Sequence, residues 1–239
     1  MLLAIAFILG VLPSLVWLIY YLQSDAHPEP KSIILEVFIL GMISGGAAAG
    51  FQLLLNYLVS FDEGIKAAIT IFPIVMVAGW AFIEEYVKYL AAKIRILHDA
   101  AFDEPTDAMI YLISAGLGFA AIENILFIAP AIFQGLDQAL MHLFLRFITA
   151  TQLHALASGI IGFFFALAII YHSRLFLLAG FILGVGLHTV YNYFIMIPDA
   201  FNGRINDDYI FLVIAIILFI GFVFIKFAFS RLRNKRFGS

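Results

Sequence analysis

Seven long apolar runs are the feature of the sequence that most restricts what the chain can fold into. A helix that crosses a bilayer needs about 20 predominantly apolar residues, and such runs cover residues 2–22, 33–59, 67–94, 108–130, 143–171, 175–197 and 209–229. Because open strands cannot satisfy their backbone hydrogen bonds in lipid, the runs predict helices. We therefore expect an all-α membrane protein, a bundle of about seven transmembrane helices that forms one polytopic membrane domain over residues 1–239. The second and fifth runs are long enough to be tilted, kinked or preceded by an interfacial turn.

The composition supports a membrane protein. Hydrophobic residues make up 64% of the chain and charged residues 12%, whereas soluble domains have roughly 25% charged residues. The first run has neither a basic n-region nor a small-x-small cleavage site, which favours a retained span over a signal peptide. The lipid bilayer is thus the expected surrounding, and no nucleic-acid partner is expected. The sequence does not define an oligomeric state.

Lysine and arginine positions predict the orientation. The C-terminal "RLRNKR" (231–236) should be cytoplasmic, because cytoplasmic flanks of spans are enriched in these residues. Alternation through seven spans places most of the other flanking basic residues on the same side: Lys31, Lys93, Arg95 and Arg174. Only Lys66 and Arg204 fall on the opposite side. The N-terminus is therefore predicted to lie outside and the C-terminus in the cytoplasm.

Four of the runs carry polar residues near their centres. They occur in "AFIEEYVKYL" (81–90), "GFAAIENILF" (118–127), the histidine-bearing "LHALASG" (153–159) and "GLHTVYNYF" (186–194). At a rise of 1.5 Å per residue, the ionisable members fall within a band of roughly 10 Å around the bilayer middle. A charged side chain at a helix centre costs about 2.5–3.5 kcal/mol. These side chains are therefore expected to line a central polar cavity rather than to face lipid.

Spacing along each helix suggests how these residues divide. Lys88 is one helical turn from both Glu84 and Glu85, so it is interpreted as their charge partner. The two glutamates are about 100° apart on the helix, so one should face the reaction centre and the other should pair with Lys88. His188 and Asn192 are four residues apart and share a face.

Three further features are interpreted from position alone. Glu123 has no basic residue within a turn on its own helix, which favours a functional role. Arg146, near the outer end of the fifth run, is interpreted as an interfacial anchor. The segment "GMISGGAAAG" (41–50) has two pairs of glycines four residues apart, a spacing that allows close helix packing.

Two kinds of hydrolytic chemistry fit this set of residues. A carboxylate can accept a proton from water while imidazole or amide groups stabilise the oxyanion that forms on a scissile carbonyl. Alternatively, Glu123, His154 and His188 could hold a zinc ion with an open position for water. The sequence contains no HExxH motif and leaves both alternatives open. The same buried cluster would also suit a proton-coupled transporter or a non-catalytic membrane scaffold.

Four motifs in order resemble a known family. "EEYVK" (84–88), "FAAIEN" (119–124), the histidine of "LHALASG" (153–159) and "HTVYN" (188–192) are similar to the EExxK, FxxxEN, H and HxxxN motifs of PrsW-type intramembrane proteases. These are relatives of the type II CAAX prenyl endopeptidases. The resemblance implies an endopeptidase in the plasma membrane of a prokaryote. It would hydrolyse peptide bonds of a membrane-associated protein, expected to be single-span and similar to an anti-sigma factor.

The resemblance also implies roles for individual residues. Glu84 or Glu85 would be the general base. The remaining catalytic positions would be Glu123, His154, His188 and Asn192, with Lys88 and Asn124 in support.

Overall fold

The computed structural model describes residues 2–25, 27–196 and 207–237, apart from the side chains of residues 207 and 208. Throughout these ranges the regular secondary structure is helical. The helices are α1 (Leu2–Leu22), α2 (Lys31–Ser60), α3 (Glu63–Ile71), α4 (Pro73–Ile96), α5 (Pro105–Gln134), α6 (Leu136–Ile148), α7 (Ala150–Ile170), α8 (Arg174–Met196) and α9 (Asp207–Leu232).

The helices confirm an all-α membrane bundle of about seven spans. Six helical segments are long and apolar enough to cross a membrane, with α6 and α7 counted together, and α3 with α4 gives a seventh if that bent pair is one span. The end of the predicted sixth span, residue 197, lies outside the described residues, as does Arg204 of the orientation argument.

The predicted third span, 67–94, is not one continuous helix. α3 and α4 meet at an angle of 99°, because Phe72 has a non-helical backbone (φ −123°, ψ 69°) and Pro73 begins α4. A proline disfavours the α conformation in the residue before it, which explains the break. The predicted polar linker before this span is also shorter, because α3 begins within it. The Asp62 side chain accepts a hydrogen bond from the Ile65 amide (2.9 Å) and caps the start of α3. The glutamate-bearing segment therefore lies on a separate helix, α4.

The predicted fifth span, 143–171, is interrupted within a longer helical segment, Leu136–Ile170. α6 begins at Leu136, directly after a turn at Gly135 (φ 152°), and thus includes part of the predicted loop. Thr149, with φ −117° and ψ −83°, separates α6 from α7. The break lets α6 place Arg146 beside the residues of α5.

α5 and α7 form the centre of the bundle. α5 packs against α1, α2, α4, α6, α7 and α9, and α5 and α7 provide much of the buried hydrophobic core. At Gly116 a Cβ atom would lie 2.8 Å from the His154 carbonyl oxygen. The absence of a side chain there allows the helix that carries His154 to lie directly against α5.

Only half of the glycine-rich segment in α2 packs as predicted. A Cβ at Gly41 would clash with the backbone of Ala115, and one at Gly45 would also meet α5. A Cβ atom added at Gly46 or Gly50 would have no neighbouring atom within 4 Å. The first pair therefore serves the close contact between α2 and α5, and the second pair does not.

Candidate active site

Lys88 lies at the middle of a buried polar cluster. Its side chain is 1% exposed, and its ammonium nitrogen lies 2.8 Å from Oε1 of Glu85 and 2.7 Å from Nδ1 of His154. The nitrogen also lies 4.3 Å from the centre of the Phe119 ring, within the range of a cation–π interaction. A buried ammonium group requires such compensation. The structure therefore gives Lys88 the predicted contact with a glutamate, and a contact with His154 that the spacing on one helix did not indicate.

Both glutamates of α4 reach the same imidazole ring. His188 on α8 places Nδ1 2.7 Å from Oε1 of Glu85 and Nε2 3.5 Å from Oε2 of Glu84. The two carboxylates approach the ring from different sides, because the imidazole has a nitrogen on each of two edges. The second oxygen of Glu85 accepts a hydrogen bond from the Ser158 hydroxyl (3.3 Å). Glu85 is thus the glutamate that is tied to Lys88, as one of the two was expected to be.

Glu84 keeps one carboxylate oxygen without a hydrogen bond. The Gln52 amide of α2 donates to its Oε1 (2.9 Å), whereas Oε2 is buried and has no hydrogen-bond partner among the described residues. That oxygen lies 3.9 Å from the Lys88 ammonium nitrogen as well as near His188. A buried acceptor without a donor is costly, so the position favours a ligand or a water.

Glu123 forms a second branch of the cluster. Its Oε2 accepts hydrogen bonds from Arg146 Nη2 (2.9 Å) and contacts His154 Nε2 (3.0 Å). Arg146 also donates to Oδ1 of Asn124 (2.6 Å), whose amide donates to Thr151 (3.0 Å). The interpretation of Arg146 as an interfacial anchor is therefore wrong: its guanidinium donates to Glu123 and Asn124 of α5. The Glu123 side chain is 26% exposed, more than the other acidic groups of the cluster.

Hydrogen-bond partners assign the histidine tautomers. Because the lysine donates to Nδ1 of His154, the proton of that ring lies on Nε2 and is donated to Glu123. In His188 the proton lies on Nδ1 and is donated to Glu85. The Nε2 lone pair of His188 is therefore directed toward Glu84 Oε2.

Asn192 lies apart from these contacts. It is half-buried, and none of the hydrogen bonds between described residues joins it to the cluster. Its spacing of four residues places it on the same face of α8 as His188. The neighbouring Tyr191 instead donates its hydroxyl to Thr149 at the bend (3.0 Å).

The cluster contains one set of donors close enough together for a zinc ion, although Nδ1 of His154 becomes available to it only when the Lys88 ammonium moves away. One ligand atom each of Glu84, His154 and His188 lies within 4.8 Å of the others. Two imidazoles and a carboxylate form a known type of catalytic zinc site, and the unpartnered Oε2 of Glu84 supports the fit. The predicted set had Glu123 in place of Glu84. The structure places Glu123 against Arg146 and the protonated edge of His154, so Glu84 supplies the carboxylate of this group.

Sequence reasoning missed two residues of this site. Gln52 was overlooked because an uncharged side chain in a long apolar helix is a weak signal, and Arg146 because its depth was taken from a straight span. Arginine within a membrane segment usually pairs with a carboxylate, which could have indicated a role beside Glu123.

A carboxylate and imidazole cluster enclosed by transmembrane helices fits a membrane-embedded hydrolase. A family model described as PrsW family intramembrane metalloprotease matches residues 29–224. The chain therefore belongs to the PrsW family of intramembrane metalloproteases, and it is a membrane peptidase.

Curated relatives agree with this family. Protease PrsW of Geobacillus kaustophilus is 32% identical over 196 residues, which are 81% of this chain and 80% of that protein. Protease PrsW of Oceanobacillus iheyensis is 30% identical over 77% of this chain and 80% of its own length, and that of Bacillus subtilis is 30% identical over 65% of each. No solved structure matches the chain. The predicted resemblance is thus confirmed, and the peptidase interpretation is preferred to the transporter and the scaffold.

Proposed function

We propose that the protein is an endopeptidase that cleaves a single-span membrane protein with a water activated at Glu84. The single observation that carries the proposal is the buried Oε2 of Glu84, which has no hydrogen-bond partner among the described residues. The oxygens of Glu85, by contrast, are taken up by Lys88, His188 and Ser158. Glu84 is therefore the glutamate of the pair that is free to bind water.

The other residues hold the Glu84 oxygen and the reacting groups in place. Glu84 Oε2 accepts the proton of the attacking water, while the Gln52 amide fixes Oε1. Glu85 holds the proton of His188 on Nδ1 and so keeps Nε2 directed toward Glu84. Asn192, half-buried on the same face of α8, is assigned as an amide donor to the oxyanion of the scissile carbonyl.

The branch at Glu123 positions the second imidazole. Arg146 holds the Glu123 carboxylate, which accepts the Nε2 proton of His154. Lys88 fixes the other edge of the same ring. Because Glu123 is partly exposed, we assign the entry of water and of the substrate backbone to this side of the cluster.

A zinc ion, where bound, would be held by Glu84, His154 and His188, with Lys88 withdrawn from Nδ1 of His154. It would supply a Lewis acid that polarises a carbonyl and lowers the pKa of bound water. Glu84 is required with or without the ion. Metal analysis of the purified protein, with cleavage measured before and after treatment with a chelator, distinguishes the metal-bound site from the carboxylate acting alone. Loss of cleavage on chelation and recovery with zinc supports the metal-bound site, whereas full cleavage by metal-free protein supports the carboxylate alone.

The substrate and orientation proposals have further support. The family relation makes a membrane protein the substrate, and an anti-sigma-factor-like protein with one span is the proposed type. We propose an external N-terminus and a cytoplasmic C-terminus, in the plasma membrane of a prokaryote, from the basic residues that flank the spans.

Cleavage of a single-span reporter in proteoliposomes tests the function. We expect His188→Ala to abolish cleavage. The matched control His142→Ala, which alters an exposed histidine on α6, should cleave at the wild-type rate. Equal cleavage by wild type and His188→Ala would exclude the proposed site, and absence of cleavage by the wild type on every single-span reporter would exclude the proposed substrate class.

A further inference from the structure

A second group of acidic side chains lies at another level of the bundle. Asp25 and Glu29 come from the segment between α1 and α2, and Asp107 comes from the first turn of α5. One carboxylate oxygen of each lies within 4.8 Å of the other two. Asp107 and Glu123 are on the same helix, where a rise of 1.5 Å per residue separates them by about 24 Å. The group is therefore distinct from the candidate active site.

Both aspartates are fixed through one oxygen and present the other without a partner. Oδ2 of Asp107 accepts hydrogen bonds from the backbone amides of Asp103 (3.0 Å) and Glu104 (2.7 Å). Oδ1 of Asp25 accepts one from the His27 amide (3.1 Å). Oδ1 of Asp107 and Oδ2 of Asp25 are buried and have no hydrogen-bond partner among the described residues, and the two residues are 1% and 9% exposed. Two buried oxygens that lack a donor point to a ligand that supplies positive charge.

No side chain in the described part of the chain supplies that charge. The ion pairs between described residues include none from a lysine or arginine to Asp25, Glu29 or Asp107. His27 pairs with Glu104 instead (2.9 Å). Glu29 receives a hydrogen bond from the Tyr111 hydroxyl. The three acidic groups therefore lie together with little compensation from the protein.

We propose that Asp25, Glu29 and Asp107 bind a hard divalent cation, Mg²⁺ or Ca²⁺. Both ions prefer oxygen ligands, and Ca²⁺–oxygen distances of about 2.3–2.6 Å place ligands on opposite sides of the ion about 5 Å apart. The observed oxygen separations fit within this limit. The group has no nitrogen or sulfur donor of the kind that zinc prefers. Waters complete the coordination, as they commonly do for Mg²⁺.

A cavity lies beside the site. It has a volume of about 470 Å³, lies between α1 and α2, and is lined by Asp25, Glu29 and Lys31 together with mostly apolar side chains. The bound ion would join the connection between α1 and α2 to the start of α5. Since α5 carries Glu123 and packs against both helices, the site would stabilise the arrangement of the central helix.

Calorimetric titration of the purified, full-length protein in detergent tests the proposal. Protein stripped with EDTA and dialysed is titrated with CaCl₂ and, in a separate arm, with MgCl₂. The wild type is expected to show one saturable site in at least one arm, and comparison of the arms identifies the preferred ion. Asp25→Asn and Glu29→Gln should each weaken binding at least tenfold. Neither substitution touches the hydrogen bonds that Asp107 makes at the start of α5, so folding is retained even where Asp107→Asn fails to fold.

Two controls separate this site from other sources of binding. Asp103→Asn removes an exposed negative charge from the same region. It should change the affinity for the titrated cation by less than twofold. Glu84→Gln alters the candidate active site and should also leave the binding unchanged. The proposal is overturned if neither ion binds saturably, if Asp25→Asn and Glu29→Gln bind as the wild type does, or if Glu84→Gln alone removes the binding.

Discussion

Nε2 of His188 lies 3.5 Å from Oε2 of Glu84, an oxygen that is buried and has no hydrogen bond among the described residues. The lone pair of the imidazole and the free carboxylate oxygen thus lie close enough together to contact one water or one ion beside them. Four helices support this arrangement. α4 and α8 supply the two residues, α2 supplies Gln52, and α7 supplies His154.

Removal of the Glu85 charge should destabilise the protein strongly. Glu85→Gln leaves the fully buried Lys88 without its nearest carboxylate, and the loss of one partner of a buried ion pair costs about 3–5 kcal/mol. We expect a lower melting temperature in detergent. The double variant Glu85→Gln/Lys88→Met removes both charges and should recover much of the loss. Equal melting temperatures for the single and double variants would contradict the buried pair.

Arg146 should matter for the stability of the Glu123 branch. Arg146→Ala removes hydrogen bonds to Glu123 and Asn124, and hydrogen bonds to charged groups contribute about 1.5–3 kcal/mol each. A reduced melting temperature is expected, with partial recovery when Glu123→Gln is added. Cleavage should be low in both variants, because Glu123 loses its Arg146 partner in the single variant and also its charge in the double variant, so that it no longer positions His154. A wild-type melting temperature in Arg146→Ala would restore the interpretation as an interfacial anchor.

Close packing of α5 and α7 should be sensitive to one methyl group. In Gly116→Ala the new atom would lie 2.8 Å from the His154 carbonyl oxygen, and overpacking of this kind costs about 1–3 kcal/mol. The matched control is Gly46→Ala, because nothing lies within 4 Å of the added atom there. That variant should be as stable as the wild type or more stable by up to about 1 kcal/mol, from helix propensity. Thermal unfolding of both variants distinguishes these effects, and equal losses in the two would contradict the packing described.

The proposed cation site predicts an effect of metal removal on stability. In EDTA, Asp25→Asn should melt at a higher temperature than the wild type, because it removes one of three crowded acidic groups. With saturating Mg²⁺ or Ca²⁺ the order should reverse, since only the wild type gains stability from the bound ion. Melting curves with and without the ion provide the measurement. The same order under both conditions would show that no ion binds there.

Much of the fold and part of the site could be predicted from the sequence. Hydrophobic length alone placed the spans, and the cost of buried charge identified Glu84, Glu85, Lys88, His154 and His188 as residues that the structure brings together. Hydropathy did not predict where the breaks at Phe72 and Thr149 lie, because it does not report backbone conformation, although Pro73 could have indicated the first of them. Which glutamate keeps a free oxygen depends on contacts between helices, and spacing along one helix does not contain that information.

The rate of cleavage by Glu84→Gln tests the central claim most directly. Glutamine keeps the size of the side chain and an oxygen for the Gln52 amide, but it cannot accept a proton from water. The matched control is Glu63→Gln, an exposed glutamate at the start of α3. With a single-span reporter in proteoliposomes, we expect Glu84→Gln to lose at least the 10²–10⁴-fold that a general base typically contributes, and Glu63→Gln to cleave at the wild-type rate. A folded Glu84→Gln variant that cleaves as fast as the wild type would contradict the account.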